Sequence, residues 1–542
     1  MKTMELLAPA GGMDQLKAAI YFGANAVYIA GERFGMRARA HNFSNEEIAE
    51  AVRFAHTHKA KLYVACNIFM DNNDIKALPS YLEFLDSAGV DALIISDLGA
   101  FKLAQKHAPN TDIHISTQLS ISNAASANAF YEMGAKRIVC AREMSLNDII
   151  LMREQVNPEL ELEVFVHGAM CMAVSGRCLI SAYLTGRSAN KGNCAQSCRW
   201  KYALEEEHLE NLDKQESSAV PESSAVPESY TMPEISTKFE NPSVQQNYTL
   251  EEENRPSLHF PIEEDEHGSY IMNAQDLNMI EHLDELARAG VSSIKIEGRN
   301  KKAFYVASVV GAYRSVLDGG SAAFANKELH KISHRPYSTG FFYNKAVQTS
   351  DFEGYEMGAR HMGDVLFCEP CCEDKGSAIT HENSAVEYEN NNAAADTSIT
   401  ASPATDAAAH ESSAATQSFT LYFMCRNKIY EGDIIEILAP HQKPVAVKIK
   451  NLFWVNFADE SIKNAFKEKC LDEEREESEQ SRKNKENGKT RNTKYFSPES
   501  FLENTTGVYP HKVPEARRNC EIYSCKTDCF IPKHSYLRQI IS

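Results

Sequence analysis

A helix-like stretch that ends in glycine and leads into a short apolar run occurs four times in the first 300 residues. The junctions are Gly23-Ala24, Gly89-Val90, Gly134-Ala135 and Gly290-Val291. Glycine is common just past a helix end because it adopts a positive φ without a clash at Cβ. Eight apolar runs of strand length lie in this region: Glu5–Ala8, Ala26–Ala30, Leu62–Cys66, Ala92–Ser96, Ile113–Ser116, Arg137–Ala141, Leu162–Val166 and Ser293–Ile296.

Strand-like and helical patterns alternate along this part of the chain. One helical pattern opens with Ser44-Asn45-Glu46-Glu47, a capping-box sequence. Short apolar strands that alternate with helices indicate a parallel sheet of the α/β class. Eight such strands predict a closed (β/α)₈ TIM-like barrel. The alternative is an open doubly wound sheet, but no glycine-rich phosphate-binding sequence follows the first strand.

The remaining sequence predicts a second domain and two insertions. We expect the barrel to comprise residues 1–204 and 255–342. Alternating runs at Gly363–Glu369, Phe419–Cys425, Asp433–Leu438 and Val445–Ile449 predict a C-terminal small β-barrel domain, residues 343–372 and 419–542. Residues 205–254 and 373–418 are acidic, of low complexity and poor in apolar residues. We expect both to be disordered insertions, because they can bury too little surface to offset the entropy cost of ordering.

The net charge of −19 is concentrated in those two insertions. Residues 205–254 contain 13 acidic residues and two lysines, a net charge of −11. Residues 373–418 contain eight acidic residues and one lysine, a net charge of −7. The rest of the chain is close to neutral, so an RNA partner is not excluded. No apolar run approaches the length of a membrane-spanning helix, and no secretion signal opens the sequence, so we expect a cytoplasmic protein without a membrane partner.

Polar and ionisable residues follow almost every predicted strand. In a barrel of this type the chemistry lies at the carboxyl ends of the strands, which share one rim. Arginine binds carboxylates and phosphates through two parallel hydrogen bonds, so an arginine-rich rim favours an anionic substrate. For any single residue, a solvated strand end is an equally good explanation. The rim residues are Pro9, Gly11, Glu32, Arg33, Arg37, Arg39, Asn67, Asp97, Ser116, Gln118, Arg142, Glu143, His167, Glu297 and Arg299.

Four cysteines follow the seventh predicted strand, in the loop 167–200. They are Cys171, Cys178, Cys194 and Cys198, with spacing Cys-x6-Cys-x15-Cys-x3-Cys. Four thiolates are the ligand set of an iron–sulfur cluster or of a structural zinc ion. Zinc ribbons usually contain two Cys-x-x-Cys motifs, which this loop lacks, so the spacing favours a cluster. Burial as small apolar residues fits poorly, because the segment also contains glycines, arginines and a lysine.

The segment from His167-Gly-Ala-Met-Cys171 to Cys198-Arg-Trp200 resembles the signature of the peptidase U32 family, also called collagenase-like peptidases. Further similar motifs are Leu6-Leu-Ala-Pro-Ala-Gly11, Phe260–Asn273, Ile294-Lys-Ile-Glu-Gly-Arg299, His334-Arg-Pro-Tyr-Ser-Thr-Gly-Phe341 and Arg426–Asp433. Within the family the resemblance is strongest to members that make 5-hydroxyuridine at the wobble position of tRNA. It implies a barrel followed by a small β domain, a 4Fe-4S cluster held by Cys171, Cys178, Cys194 and Cys198, and prephenate as co-substrate.

Roles for the rim residues follow from this resemblance as hypotheses. Arg142, Arg177 and Arg299 would hold anionic substrate groups, and Arg187 and Arg199 would contact RNA phosphates. His167, Glu143 or Glu297 would move protons. For His167 an equally good role is to anchor the cysteine loop by a hydrogen bond to the backbone, and for the arginines beside the cysteines the alternative is solvated surface. The resemblance identifies no electron donor.

Two other classes of function stay open. One is a related hydroxylase that acts on ribosomal RNA or on a quinone precursor. The other is a peptidase, as the family name suggests. The sequence contains neither a His-Glu-x-x-His zinc motif nor a Gly-x-Ser-x-Gly nucleophile motif, and a Cys171–His167 dyad would conflict with the use of Cys171 as a ligand.

Overall fold

The computed structural model describes two compact units, Met1–Gly358 and Ala359–Ser542. Within them, the residues described are 4–35, 42–170, 202–206, 248–252, 255–261, 264–265, 268–269, 275–343, 355–370, 418–457, 460–466 and 508–541. In this part of the chain, no helix combines the length and apolar character needed to cross a lipid bilayer.

Eight parallel strands form a closed barrel in the first unit, as predicted. Barrel strands 1 to 8 are Glu5–Pro9, Ala26–Ile29, Lys61–Cys66, Ala92–Ile95, Asp112–Ile115, Arg137–Val139, Glu161–Ala169 and Ser293–Ile296. Each strand pairs with the next, and strand 8 pairs with both strand 7 and strand 1, which closes the barrel. Most strand bounds differ from the predicted runs by one or two residues; strand 7 extends three residues further, to Ala169.

Helices connect the strands. Their bounds are Met13–Tyr21, Asn45–Thr57, Asn72–Ala88, Leu98–His107, Ala124–Glu132, Leu146–Gln155, Leu283–Arg288, Ala303–Leu317 and Ala322–Leu329, with short 3₁₀ turns at Thr117–Leu119 and Ile280–His282. The capping box predicted at Ser44 is present: its side chain accepts from the backbone N–H of Glu47, whose carboxylate accepts from the backbone N–H of Ser44. Gly89 ends the helix Asn72–Ala88 at φ +82°. The predicted role of glycine at this junction is therefore confirmed.

The barrel interior contains a buried ionic network beside an apolar cluster. Glu163 is fully buried, and its two carboxylate oxygens contact Lys295 Nζ at 2.9 Å and Arg137 Nη1 at 2.8 Å. Arg137 Nη1 also donates to Glu5 Oε1 at 2.6 Å, and Glu5 Oε2 accepts from the hydroxyl of Tyr63 at 2.7 Å. The arginine and lysine therefore balance the buried carboxylate of Glu163 and the partly buried carboxylate of Glu5. The sequence pattern did not predict this network.

Additional strands extend the first unit beyond the barrel. Asp276–Asn278 pairs antiparallel with the end of strand 7 and parallel with Tyr337–Ser338. Three strands, Tyr202–Glu206, Tyr248–Glu252 and Arg255–Pro261, form a separate antiparallel sheet, and Glu264–Asp265 pairs with Gly268–Ser269. Two of these strands, Tyr202–Glu206 and Tyr248–Glu252, overlap the predicted insertion 205–254 at residues 205–206 and 248–252. Tyr248-Thr-Leu has high β propensity despite the acidic residues that follow it. Residues 207–247 and 253–254 lie outside the described residues.

The second unit contains antiparallel sheets, as expected of the predicted β domain. Its main sheet has eight strands in the order Val445–Lys448, Ile434–Leu438, Tyr536–Ile540, Ala359–Pro370, Phe419–Cys425, Ile522–Thr527, Lys450–Phe457 and Val508–Lys512. Ile429–Tyr430 pairs with Glu515–Ala516. Cys368, Cys425 and Cys525 are buried in the hydrophobic core of this unit. The predicted insertion 373–418 falls, apart from Ser418, outside the described residues.

Candidate active site at the carboxyl end of barrel strand 7

Barrel strand 7 ends in an irregular segment that brings it close to the residue after strand 8. Lys295 pairs with Phe165, but Ile296 pairs with His167, so the register shifts by one residue. The backbone N–H of Glu297 donates to the carbonyl of His167 at 2.9 Å. Gly168 has φ +101°, and a Cβ on it would lie 2.5 Å from the carbonyl oxygen of Glu297. Only glycine fits at this position without a shift of the backbone.

Arg142 lies at this strand end, and its guanidinium group is only partly paired with the described residues. Its Nη2 is 3.6 Å from Glu297 Oε2, and its Nη1 donates to the carbonyl of Ala169 at 3.4 Å. The guanidinium carbon lies 4.2 Å from the ring centre of Phe165. The Nε of Arg142 is buried and has no hydrogen-bond partner among the residues described. A buried donor without a partner is costly, so this group is suited to bind an anion that enters the site.

His167 is buried beside aromatic side chains. Its residue is 1% exposed, and its ring centre is 5.5 Å from those of Tyr313 and Tyr337 and 6.2 Å from that of Tyr305. Burial, which disfavours the charged imidazolium, lowers the pKa of His167 to about 3. The imidazole is therefore neutral at physiological pH. Its Nε2 has no hydrogen-bond partner in the described part of the chain.

A second buried polar cluster, which the sequence pattern did not single out, adjoins His167. The Asp276 carboxylate accepts from Arg335 Nη2 at 3.0 Å and from the Arg335 backbone N–H at 3.2 Å. The ring of His334 stacks on that of Tyr337 at 4.0 Å, and His334 Nδ1 lies 2.7 Å from the carbonyl oxygen of Arg335. The signal for this cluster in the sequence is the motif His334-Arg-Pro-Tyr337, which belongs to the resemblance to the family.

Three groups can be distinguished among the other residues predicted at the rim and in the cysteine loop. Arg299 is buried and Glu143 is partly buried. Asp97 and Ser116 cap short helical segments through their side chains: Asp97 accepts from the backbone N–H of Ala100 and Ser116 from that of Gln118. For these two, the structural explanation of a polar strand end applies. The third group, Arg37, Arg39, Cys171, Arg177, Cys178, Arg187, Cys194, Cys198 and Arg199, lies outside the described residues.

The cysteine loop begins where strand 7 ends. The described chain stops at Met170, one residue before Cys171. Met170 is buried, and with Arg142 and Phe165 it lines a small cavity. The predicted ligand loop is thus attached at the candidate site itself.

The thiols that the structure does describe in the barrel are not suited to hold a metal. Burial raises the pKa of Cys66 and that of Cys140 to about 12, so both are neutral thiols at physiological pH. Across the described ranges, no group of three or more His, Cys, Asp or Glu side chains is arranged to hold a metal ion. The chemistry of the four loop cysteines suits an iron–sulfur cluster, because four thiolates are the ligand set of such a cluster.

Several known proteins that are similar to this chain are named for RNA modification. Residues 11–351 match the model of peptidase family U32. The chain is 36% identical over 359 residues to the tRNA hydroxylation protein P of Escherichia coli (strain K12), which covers 65% of this chain and 77% of that protein. It is 37% identical over 349 residues to the tRNA hydroxylation protein P1 of Bacillus subtilis (strain 168), covering 63% and 71%.

A third relative modifies ribosomal RNA according to its name. The chain is 30% identical over 415 residues to the 23S rRNA 5-hydroxycytidine C2501 synthase of Escherichia coli (strain K12), covering 72% of this chain and 54% of that protein. Because the family model matches well over half of the sequence, the assignment does not depend on any single relative. This chain belongs to peptidase family U32.

Proposed function

We propose that this protein is an RNA-modifying hydroxylase that makes 5-hydroxyuridine at the wobble position of tRNA, with prephenate as co-substrate. Two of the relatives described above are named for tRNA hydroxylation, and a third for hydroxylation of a cytidine in ribosomal RNA. The chain covers 77% and 71% of the two tRNA proteins, so the likeness extends over most of their length. A tRNA substrate also implies that the protein acts in the cytoplasm.

The observation that carries the proposal is the guanidinium of Arg142 at the strand end where the cysteine loop begins, because its Nε has no hydrogen-bond partner among the described residues. Prephenate carries two carboxylates, and an arginine with an open donor edge binds a carboxylate through charge-assisted hydrogen bonds. Glu297 Oε2 lies 3.6 Å from Arg142 Nη2 at the barrel mouth. Arg299 is the second candidate for an anionic group. Arg177, Arg187 and Arg199 would add contacts to prephenate or RNA phosphates.

An iron–sulfur cluster held by Cys171, Cys178, Cys194 and Cys198 is part of the proposal. Such a cluster, when bound, supplies the redox chemistry that amino-acid side chains lack. The protein's own residues would bind and orient the substrates and hold protons. Glu143 and Glu297 are the candidates to move protons, because both follow barrel strands at the same rim. His167 is the third candidate; its lowered pKa makes it a weak base, and its burial among tyrosines also suits a role as an anchor.

Mass spectrometry of nucleosides from tRNA tests the proposal. A strain that lacks the gene should lose 5-hydroxyuridine and its derivatives, and the intact gene should restore them. Arg142→Met should fail to restore them, whereas Arg517→Met, at an exposed arginine of the second unit, should succeed. Normal 5-hydroxyuridine in the deletion strain would refute the tRNA assignment.

The ribosomal relative favours one second candidate, hydroxylation of a cytidine in 23S rRNA. The same digests should therefore include ribosomal RNA. Loss of 5-hydroxycytidine with unchanged tRNA would assign the protein to rRNA. Cleavage of casein or collagen by purified protein, independent of bound iron, would instead support the peptidase alternative.

A further inference from the structure

Phe165 lies beside two cations, one at the barrel mouth and one in the barrel interior. The guanidinium carbon of Arg142 is 4.2 Å from its ring centre, and Lys295 Nζ is 5.4 Å from it. Both distances are within the range in which an aromatic ring attracts a cation. Phe165 is 8% exposed, so water screens these attractions little.

The interior cation is fixed by the buried ionic network. Lys295 Nζ contacts Glu163 Oε1 at 2.9 Å, and its side chain is 5% exposed. The second oxygen of Glu163 binds Arg137 Nη1 at 2.8 Å. Lys295 also lies 4.4 Å from the ring centre of Tyr28. Lys295 and Phe165 are paired in the register of barrel strands 8 and 7. The ionic network therefore fixes the position of the Lys295 ammonium group beside the Phe165 ring.

The other contacts that Arg142 makes with described residues are long. Its hydrogen bond to the carbonyl of Ala169 is 3.4 Å, and its distance to Glu297 is 3.6 Å. Good charge-assisted hydrogen bonds are about 2.7–2.9 Å long. Among the described residues, the Phe165 ring is thus the close contact that fixes the position of the Arg142 guanidinium. The Nε of Arg142 has no hydrogen-bond partner among these residues.

We propose that Phe165 is a positioning residue for Arg142, and that its ring holds the guanidinium ready for the anionic co-substrate. The identity of the anion as prephenate rests on the proposed function; the support of Arg142 by the ring does not. The ring gives the cation an attractive surface without neutralising it, so the charge and the hydrogen-bond donors of Arg142 stay available to a carboxylate. A carboxylate in place of the ring, closer to the guanidinium than Glu297 is, would compete with the substrate.

Graded fluorination of Phe165 tests this proposal with little change of shape. Site-specific incorporation of mono-, di- and trifluorophenylalanine at position 165 weakens the negative face of the ring step by step. We expect the apparent KM for prephenate to rise with each fluorine while kcat for tRNA hydroxylation changes little. Phe165→Leu should raise KM by about 2- to 30-fold, the range that corresponds to one cation–π contact. An unchanged KM across the series would overturn the proposal.

A spectroscopic readout separates this inference from the proposed function. The Nε–Hε resonance of Arg142, assigned by its disappearance in Arg142→Lys, should be displaced by the ring current of Phe165. In Phe165→Leu this resonance should move towards the chemical shift of a free arginine side chain. If wild-type protein shows no prephenate-dependent hydroxylation, the proposed function fails, but this resonance still decides whether Phe165 positions Arg142. An unmoved resonance in Phe165→Leu refutes the positioning role.

Phe101 provides the matched control. It is a buried phenylalanine on the helix Leu98–His107, with Lys102 Nζ 5.6 Å from its ring centre. Phe101→Leu removes a core ring of the same kind without touching Arg142. It should lower stability but leave both the KM for prephenate and the Arg142 resonance at their wild-type values. Equal effects of the two substitutions on KM would show that Phe165 acts only through general stability.

Discussion

The carbonyl oxygen of Glu297 lies 2.5 Å from the point that a Cβ on Gly168 would occupy. Gly168 also has φ +101°, a conformation that side chains disfavour. A positive φ alone costs a residue with a side chain roughly 1–2 kcal/mol. We predict that Gly168→Ala lowers the free energy of unfolding by more than this amount. The excess arises because the backbone at Glu297 must shift. Urea unfolding followed by circular dichroism measures the difference.

Gly319 is the control for that prediction. It has φ +93°, and among the described residues no atom outside Gly319 and its two chain neighbours lies within 4 Å of the point where its Cβ would stand. Gly319→Ala should therefore show the cost of the backbone conformation alone, about 1–2 kcal/mol. If the two alanine variants lose the same stability, the close approach of Gly168 to Glu297 has no energetic consequence.

The buried network predicts a large loss of stability on removal of one carboxylate. Glu163→Gln leaves Lys295 without the carboxylate it contacts, in a place where its side chain is 5% exposed. Breaking a buried ion pair in this way typically costs about 3–5 kcal/mol. Asp528→Asn, which breaks the exposed pair with Lys450, should cost at most about 1 kcal/mol. Similar losses in the two variants, measured by chemical denaturation, would contradict the role of burial.

The barrel was predictable because its signal is local. Eight apolar runs, separated by helical patterns and glycine junctions, correspond to the eight observed strands. The capping box at Ser44 and the left-handed glycine at Gly89 are likewise set by residues close in sequence. Strands of the second unit were found for the same reason: Phe419–Cys425 matches its predicted bounds.

The polar interior was not predictable from those patterns, because it depends on pairs that are distant in sequence. Lys295 and Glu163 are 132 residues apart and meet only when strand 8 closes against strand 7. A hint was present: Glu161 and Glu163 alternate with Leu162 and Val164 in a strand of a buried sheet. The surroundings of His167 were not predicted either. The register shift beside Ile296 arises from the pairing of strand 8 with strand 7 and is not visible in the sequence of either strand alone.

Stability should fall in mild acid because of His167. Its pKa is lowered to about 3 in the folded state, against about 6.5 in the unfolded chain. Between these two pH values the His167 imidazole is protonated in the unfolded chain but neutral in the folded protein. The contribution of His167 to the free energy of unfolding is therefore fully present above pH 6.5 and decreases as the pH falls. From pH 7.5 to 5.5 the loss from this group is about 1.4 kcal/mol.

His167→Phe isolates this contribution, because it keeps an aromatic ring and removes the titration. We expect the stability of this variant to fall by about 1.4 kcal/mol less than that of the wild type over the same pH range. Denaturant unfolding at both pH values provides the measurement. His330→Phe, at an exposed ring, controls for the exchange of histidine for phenylalanine. Parallel losses in wild type and His167→Phe would show that His167 is protonated in the folded protein.

Iron content should depend on the loop cysteines and not on cysteines of the second unit. We predict that protein purified without oxygen contains about four iron atoms and is brown. Cys194→Ser should lose the colour and most of the iron, because a serine oxygen in place of a thiolate weakens the ligation of the cluster. The corresponding serine variants of Cys171, Cys178 and Cys198 should behave in the same way. Cys520→Ser, at an exposed thiol of the second unit, should retain both. Absorption spectra with iron and sulfide analysis decide the matter: full iron in any of the four loop variants removes that cysteine from the ligand set.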